Sequence, residues 1–600
     1  MPRNNMKGPR LGPGPYPVRE WLTAYSHGDV NRHEELDQWR QGDDGWIKAA
    51  PKAGPYLTYV RSLTNRWHHL NLLCDFMDVG THPIRWNPQA PGAYPADPIE
   101  KNDCKLERME RTNVCLLEFP RDGPGVKEKR FTEISALKDC LAEMDENDHV
   151  ETRLFVVEDL SRDVIEALGW HFKVDPSFFR EHIVDYAWYN TSDWWRDPPN
   201  LDLVARQQNW FQLRFVRPRN FLNSDLFSQG VEDSKEFNVF RRLDRDFNSN
   251  NFWDKHEAEE AKVGLTRSRA TCWVQAPEEK NRNKEITYAI LVLDPTIKSG
   301  NPLWLKQRNW AKIPAVGESS PKDNKPPPSD NFFEDYIYWA KRPESFNFPG
   351  SGNSSSPICI PTQVLLHLVC TEWLTMVDYI KTRLNQIDWG IAFPDDFLGK
   401  EEQIDEHLTK LHHWRRVVPL YNEMLRETFL RVFRETAPPN RMYPGRNLHE
   451  PVQRSSSALG SLMDTECINA YQQDFALVLG YMEEFQSRID RLTDVVNAAI
   501  SMGDSRRGYK DNKNLQWLTW LATFFIPLSF VATLLSMTTD PIENLGPITR
   551  LWATVAIPSG LSIMIVVGVF SVAKWRRAIR KFFSEFPWHG EVRPFRHKRA

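Results

Sequence analysis

Between Lys513 and Asp540 no side chain is charged, and a second uncharged run extends from Leu551 to Ala573. A core in water rarely needs more than a few apolar turns, whereas crossing the roughly 30 Å hydrocarbon layer of a bilayer takes about 20 apolar residues. Both runs are long enough. Residues 514–537 and 551–573 are therefore expected to be transmembrane helices, and the rest of the chain has to fold around them.

The flanks orient the pair. Arg506, Arg507, Lys510 and Lys513 precede the first run, and Lys574, Arg576, Arg577, Arg580 and Lys581 follow the second. The connection TTDPIENLGPITR carries Asp540, Glu543 and only Arg550. Cytosolic flanks collect Lys and Arg, so both termini are expected in the cytosol, with 538–550 an external loop and 574–600 a basic cytosolic tail. Trp517, Trp520, Trp552 and Trp575 fall where interfacial anchors belong. The N-terminus MPRNNMKGPRLGPGPYP has no apolar signal segment, and its prolines disfavour an amphipathic presequence. The plasma membrane is accordingly expected rather than an organelle.

The polar remainder reads as globular. Lys and Arg total 76 against 80 Asp and Glu, which points to no nucleic-acid partner. Six hundred residues exceed one hydrophobic core, so several domains are expected. The eight cysteines contain no C-x-x-C pair, which fits reduced thiols better than a disulfide frame or a zinc site.

Upstream of the first run the chain is helical. Ile468, Tyr471, Phe475, Val478, Met482, Phe485, Ile489, Leu492, Val496 and Ala499 alternate steps of three and four, and no proline lies between Pro451 and Pro527. That period marks a helix burying one stripe. Unbroken into the first span, it would reach on the order of 100 Å at 1.5 Å per residue, with Gly503 and Gly508 as places for a bend. The seam fits a helix packed on its own domain or a stalk over 465–513. Running directly into a span favours the stalk.

Earlier segments mix α and β. ETRLFVVED (151–159) reads as a strand, with Ser161 the N-cap of a following helix carrying Val164, Ile165 and Leu168. FQLRF (211–215), ATCWVQ (270–275) and ITYAILVLD (286–294) are further strands. An α/β cytosolic domain is expected over 151–314, a Pro/Ser/Gly-rich linker or insertion over 315–357 and a helical region over 358–464. Residues 1–150 give no clear pattern and are expected to be an N-terminal extension.

No catalytic constellation is present: HEELD and HEAEE lack a second histidine, and neither a Gly-rich phosphate loop nor a G-x-S-x-G elbow occurs. The expectation is a non-enzyme without cofactor. His68–His69 and His412–His413 are adjacent and point apart on a helix, which suits surface or packing roles better than a metal. WYNTSDWWRD (188–197) could stack a ligand, although such clusters more often pack a satellite core.

Chemistry concentrates in the first span. Gln516, Thr519, Thr523, Ser529, Thr533 and Ser536 recur at near-helical spacing as one polar stripe. Ser and Thr in membranes often bond back to their own helix or to neighbours. A lone hairpin cannot enclose a pore, so a water-facing stripe requires several copies around one axis.

LTWLATFFIPLSFVATLLSM (518–537), followed by a short acidic loop, a second span and a basic tail, resembles the CorA-like magnesium and divalent-cation transporters, particularly their divergent fungal branch. The likeness runs from about residue 465 to 581, and EALGWHFKVDPSFFREHI (166–183) adds a fainter match. The resemblance implies a homopentamer with a cytosolic αβα domain and a long stalk helix that becomes the pore-lining first span. It also implies a divalent cation, Mg²⁺ foremost, as the transported ion. Matching position by position places Asn512 at an inner-mouth asparagine, Leu518 and Ile526 at hydrophobic gates and Ser529 at a mid-pore hydroxyl, with Thr519, Thr523 and Thr533 completing the lining. The family's Gly-Met-Asn mouth is Ser536-Met537-Thr538 here. Thr538 then offers a hydroxyl where an amide would bond the water shell of a hydrated cation, and Asp540 and Glu543 are candidates for attracting cations. Two functions are compatible: a divalent-cation transporter or channel, or a non-conducting membrane-anchored oligomer serving as sensor or scaffold.

Overall fold

The computed structural model describes residues 53–81, 106–121, 125–144, 149–184, 201–205, 207–239, 241, 243–246, 262–275, 286–303, 316, 331–342, 359–391, 401–433, 466–536 and 545–571. The chain divides into two units, one of Met1–Phe397 with Asp405–Thr493 and one of Leu398–Ile404 with Asp494–Ala600.

The first unit is built on an eight-stranded sheet: β1 (Val114–Pro120), β2 (Lys127–Phe131), β3 (Val150–Glu158), β4 (Trp210–Phe221), β5 (Leu243–Asp246), β6 (Lys262–Val274), β7 (Thr287–Leu293) and β8 (Asn301–Pro302), in the order β2-β1-β3-β7-β6-β4-β8. The β3–β7 pair is parallel and its neighbours are antiparallel. Along β6, β4 pairs one edge from Trp273 to Lys262, while β7 and β5 share the other.

Alternation along the strands gives the sheet two apolar faces. Val114, Leu116, Phe155, Val157, Trp273, Ile290 and Val292 join a cluster with α1 (Pro55–Leu63), α2 (Asn71–Val79), α3 (Ile134–Ala142), α4 (Arg162–His171) and α5 (Pro176–Ile183). Beside β4, α6 (Ser224–Glu236) closes a smaller cluster around Phe221 and Ile297. On the other face, α7 (Phe332–Ala340) sets Phe332 5.0 Å from Phe215, and α8 (Cys359–Ile391) packs along β4. Helices on both faces make the mixed α/β layering expected from sequence.

Local signals acted as read. Ser161 caps α4 by accepting from Val164 N at 3.4 Å, and Asp175 caps α5 by accepting from Ser177 N at 2.8 Å. The expected strands are β3, β4, β6 and β7, with β4 and β6 longer than their quoted cores.

Other expectations differ. The sheet does not begin at residue 151: β1 and β2 lie upstream and join it through β3. Within the expected 315–357 linker, FFEDYIYWA forms α7, with Phe332, Phe333 and Tyr336 fully buried. Polar, Pro-rich surroundings masked that apolar stretch. Cys359 is disulfide-bonded, against the expectation of reduced thiols. Cys74, Cys115, Cys140, Cys272 and Cys370 are free, and burial pushes the Cys115, Cys272 and Cys370 thiols up to about 12. The Trp188–Asp197 cluster lies outside the described residues.

The seam from Ile468 to Leu492 is buried throughout, but against its own chain. It belongs to α10 (Glu466–Ser536), which meets α8 where His367 Nδ1 lies 3.3 Å from the Tyr471 hydroxyl. Farther along, Phe475 packs on Phe433 at 5.5 Å, just beyond α9 (Glu401–Thr428), and Arg426 and Glu483 pair at 2.9 Å. Over this stretch the seam packs on its own domain, the alternative that the sequence placed behind a stalk. Gly503 and Gly508 do not break α10.

Candidate functional site

In the second unit, α10 continues to Ser536 and α11 (Leu545–Ser571) follows. The Trp552 indole N–H of α11 donates to the Leu528 carbonyl of α10 at 3.4 Å. Trp552, Ala556 and Gly560, four residues apart, share one face of α11, and Ala556 and Gly560 are buried.

At about 100° per residue, Leu528 lies roughly opposite Thr519, Thr523, Ile526 and Thr533, with Ser529 to one side. The second helix thus approaches the first on the face away from the hydroxyls. Along this span described apolar side chains of α10 are uncovered: Leu518 is 62 % exposed, Ile526 65 % and Phe530 65 %. Leu515, Leu521 and Phe525 are also exposed, as are Val555, Ile557, Leu561 and Ile565 on α11.

Four of the stripe hydroxyls are tied inward. Thr519 donates to the Leu515 carbonyl at 2.8 Å, Thr523 to Thr519 at 2.7 Å, Ser529 to Ile526 at 2.9 Å and Thr533 to Ser529 at 2.8 Å. This back-bonding satisfies the hydroxyl protons and leaves oxygen lone pairs as acceptors. Pro527 has no N–H, so the Thr523 carbonyl, on the same face, lacks its regular intrahelical donor. The carbonyl is a consequence of proline position that the hydroxyl pattern alone does not reveal. A hydrated cation directs water hydrogens outward, and a row of acceptors is what such a shell can bond. Asn512 and Ser536 are helical with side chains outside the description, and Met537, Thr538, Asp540 and Glu543 lie outside the described residues.

Two helices pass close to a membrane-span composition in different ways. The α8 helix is long and apolar enough to cross a bilayer, but 78 % of its apolar window is buried in the first unit, which makes it a core helix. In α10 the apolar stretch Leu521–Phe530 is exposed instead.

The first unit holds a second polar constellation, which sequence reading missed because its members come from four separated segments. Asp294 accepts from Arg241 Nε at 2.5 Å and Arg269 N at 2.6 Å, and lies 3.2 Å from His182 Nε2. His182 Nδ1 lies 2.9 Å from the Thr271 hydroxyl. Burial alone would raise the Asp294 carboxyl, but Arg241 and His182 hold it well below the usual carboxylate range. Burial pushes the His182 imidazole down. The guanidiniums also reach back to α5, Arg241 to the His182 carbonyl at 2.5 Å and Arg269 to the Glu181 carbonyl at 2.6 Å, closing a helix C-terminus. Hydroxyl, imidazole and carboxylate in line are what a nucleophile relay needs, yet all three are buried. The cluster is a structural clamp.

His412 and His413 lie on α9, with His413 buried; His68 and His69 lie in the one-turn helix His68–Leu70. Among the described residues, no group of three or more His, Cys, Asp or Glu is gathered for a metal ion.

No family model and no curated protein matches the chain. Similar solved structures include the complete CorA magnesium transporter from Methanocaldococcus jannaschii, at 10 % identity and TM-score 0.33, covering 77 % of this chain and 98 % of the other. The full-length CmaX protein is similar at 11 % identity and TM-score 0.30, covering 76 % of this chain and 97 % of that one. At these scores the likeness assigns neither fold nor activity to this chain.

Proposed function

We propose that the chain is a membrane transporter or channel for divalent cations, formed by self-association of its first span. The observation carrying this reading is the acceptor face of α10. Four hydroxyls donate inward and one carbonyl is freed by proline, on a span whose described apolar side chains include exposed Leu518, Ile526 and Phe530, with α11 on the opposite side. Lipid suits the apolar surface, and the acceptor face suits a water-filled axis shared by several copies. The two spans form a transmembrane hairpin with both termini cytosolic, and the sequence resemblance sets the assembly at five. Mg²⁺ is the favoured ion because it keeps its water shell, which outward-facing oxygens bond without stripping it.

The Ser536-Met537-Thr538 mouth gives shorter-armed contacts than an amide ring, so discrimination among hydrated divalent ions is looser than with Gly-Met-Asn. Asp540 and Glu543 concentrate cations outside. Replacing Thr519, Thr523 and Thr533 together by Val keeps volume and removes acceptors. In proteoliposomes Mg²⁺ uptake should fall at least tenfold with assembly unchanged; undiminished uptake would remove the stripe from the path. Restoring Ser536→Gly with Thr538→Asn should raise Mg²⁺ flux or selectivity. If wild type and restored variant are equally silent while both assemble, the scaffold reading takes over.

A further inference from the structure

Sequence alone casts Trp552 as an interfacial anchor, whose indole N–H would bond water or lipid headgroups. The structure turns that N–H inward. It donates to the Leu528 carbonyl of α10 at 3.4 Å, and Trp552 and Leu528 are both half-buried where the two helices meet. One turn farther along α11, Ala556 is fully buried, so the contact continues beyond the indole. Its methyl group lets the two backbones approach.

The acceptor is backbone, and that matters for rotation. A carbonyl within a helix already accepts from the amide four residues on, and its second lone pair is open to a donor arriving from the side. A side chain can keep a contact by changing rotamer as its helix turns, whereas a carbonyl moves around the axis only with the helix itself. With Leu528 held against α11, Thr519, Thr523 and Thr533 lie about 140–220° around α10 from the contact, at about 100° per residue. Turning α10 by one residue would bring Ser529 to α11 and swing the threonines aside.

Resting on the transport reading above, we propose that Trp552 is the positioning residue of the hairpin: bonded to the Leu528 carbonyl, its indole holds α10 at the rotation that presents the threonine face to the shared axis. Trp552 touches no ion and acts through α10.

No cysteine follows Cys467, so a cysteine pair placed in the two spans can be read by itself after digestion of the full chain, oxidised in lipid vesicles. Phe524→Cys with Ala556→Cys joins positions one turn from the bonded pair on each helix, and Thr523→Cys with Ala556→Cys moves the first cysteine about 100° around α10. The Phe524 pair should form its intrachain disulfide faster, by at least about fivefold, the factor that one neutral hydrogen bond supplies. Trp552→Phe keeps an aromatic ring and loses the donor, so the two rates should converge. Without introduced cysteines, Trp552→Phe should also lose Mg²⁺ uptake by about the same factor at unchanged oligomer mass. Equal rates with Trp552 in place, or a preference or uptake that Trp552→Phe leaves unaltered, overturn the proposal. If Trp552→Phe does not assemble, Trp552→Leu is read in its place. A wild type that carries no Mg²⁺, with a disulfide preference that collapses in Trp552→Phe, removes the transport reading and leaves the positioning of α10 standing.

Discussion

Glu166 sits across the N-terminus of α1, its carboxylate accepting from Tyr56 N at 2.7 Å and Leu57 N at 3.0 Å. A Cβ at Gly54 would meet that carboxylate at 2.1 Å. Opposite charge at a helix start and two satisfied amides make Glu166→Ala cost about 1–2 kcal/mol, visible as a lower melting temperature by tryptophan fluorescence. Asp294 is a larger case. Asp294→Asn leaves buried Arg241 without its counter-charge, a loss of about 3–5 kcal/mol at neutral pH. Because its carboxyl is depressed, the contribution is present above the ordinary carboxylate range and lost only as pH falls below it. The variant should therefore lose part of the acid branch of the stability profile, and a profile of unchanged shape would contradict the clamp. Ser161 was legible from sequence because a cap bonds three residues ahead. The partners of Asp294 were not, because segments as far apart as Arg241, 53 residues away, meet it only in the folded sheet.

Among the elements, period was readable and partner was not. The three-and-four spacing from Ile468 to Leu492 marked the buried stripe residue by residue, yet a stripe does not say whether its own domain or another copy covers it. Here α8 and the end of α9 do. Phe475→Ala should cost about 3–5 kcal/mol, whereas Leu477→Ala, on the exposed side of the same turn, should barely move the melting temperature. Equal losses at both positions would mean that the seam is not packed as described. The α7 helix escaped notice because nine apolar and acidic residues sit among Pro, Ser and Gly, and β1 because its partner strand β3 lies beyond an intervening helix.

For the whole molecule, the proposed topology has both termini in the cytosol, so the sequons at Asn190 and Asn353 should remain unglycosylated; glycan on either would contradict that proposal. The hydroxyl stripe was visible in the sequence, but its inward-bonded protons and its position opposite Trp552 needed the second helix in place. Conduction of a divalent cation is the central claim, and Mg²⁺ entry into liposomes holding the purified full chain tests it most directly. Saturable, gradient-driven uptake well above that of protein-free vesicles is expected, from a preparation whose native mass is an oligomer. Assembled protein that admits Mg²⁺ no faster than empty vesicles would contradict it.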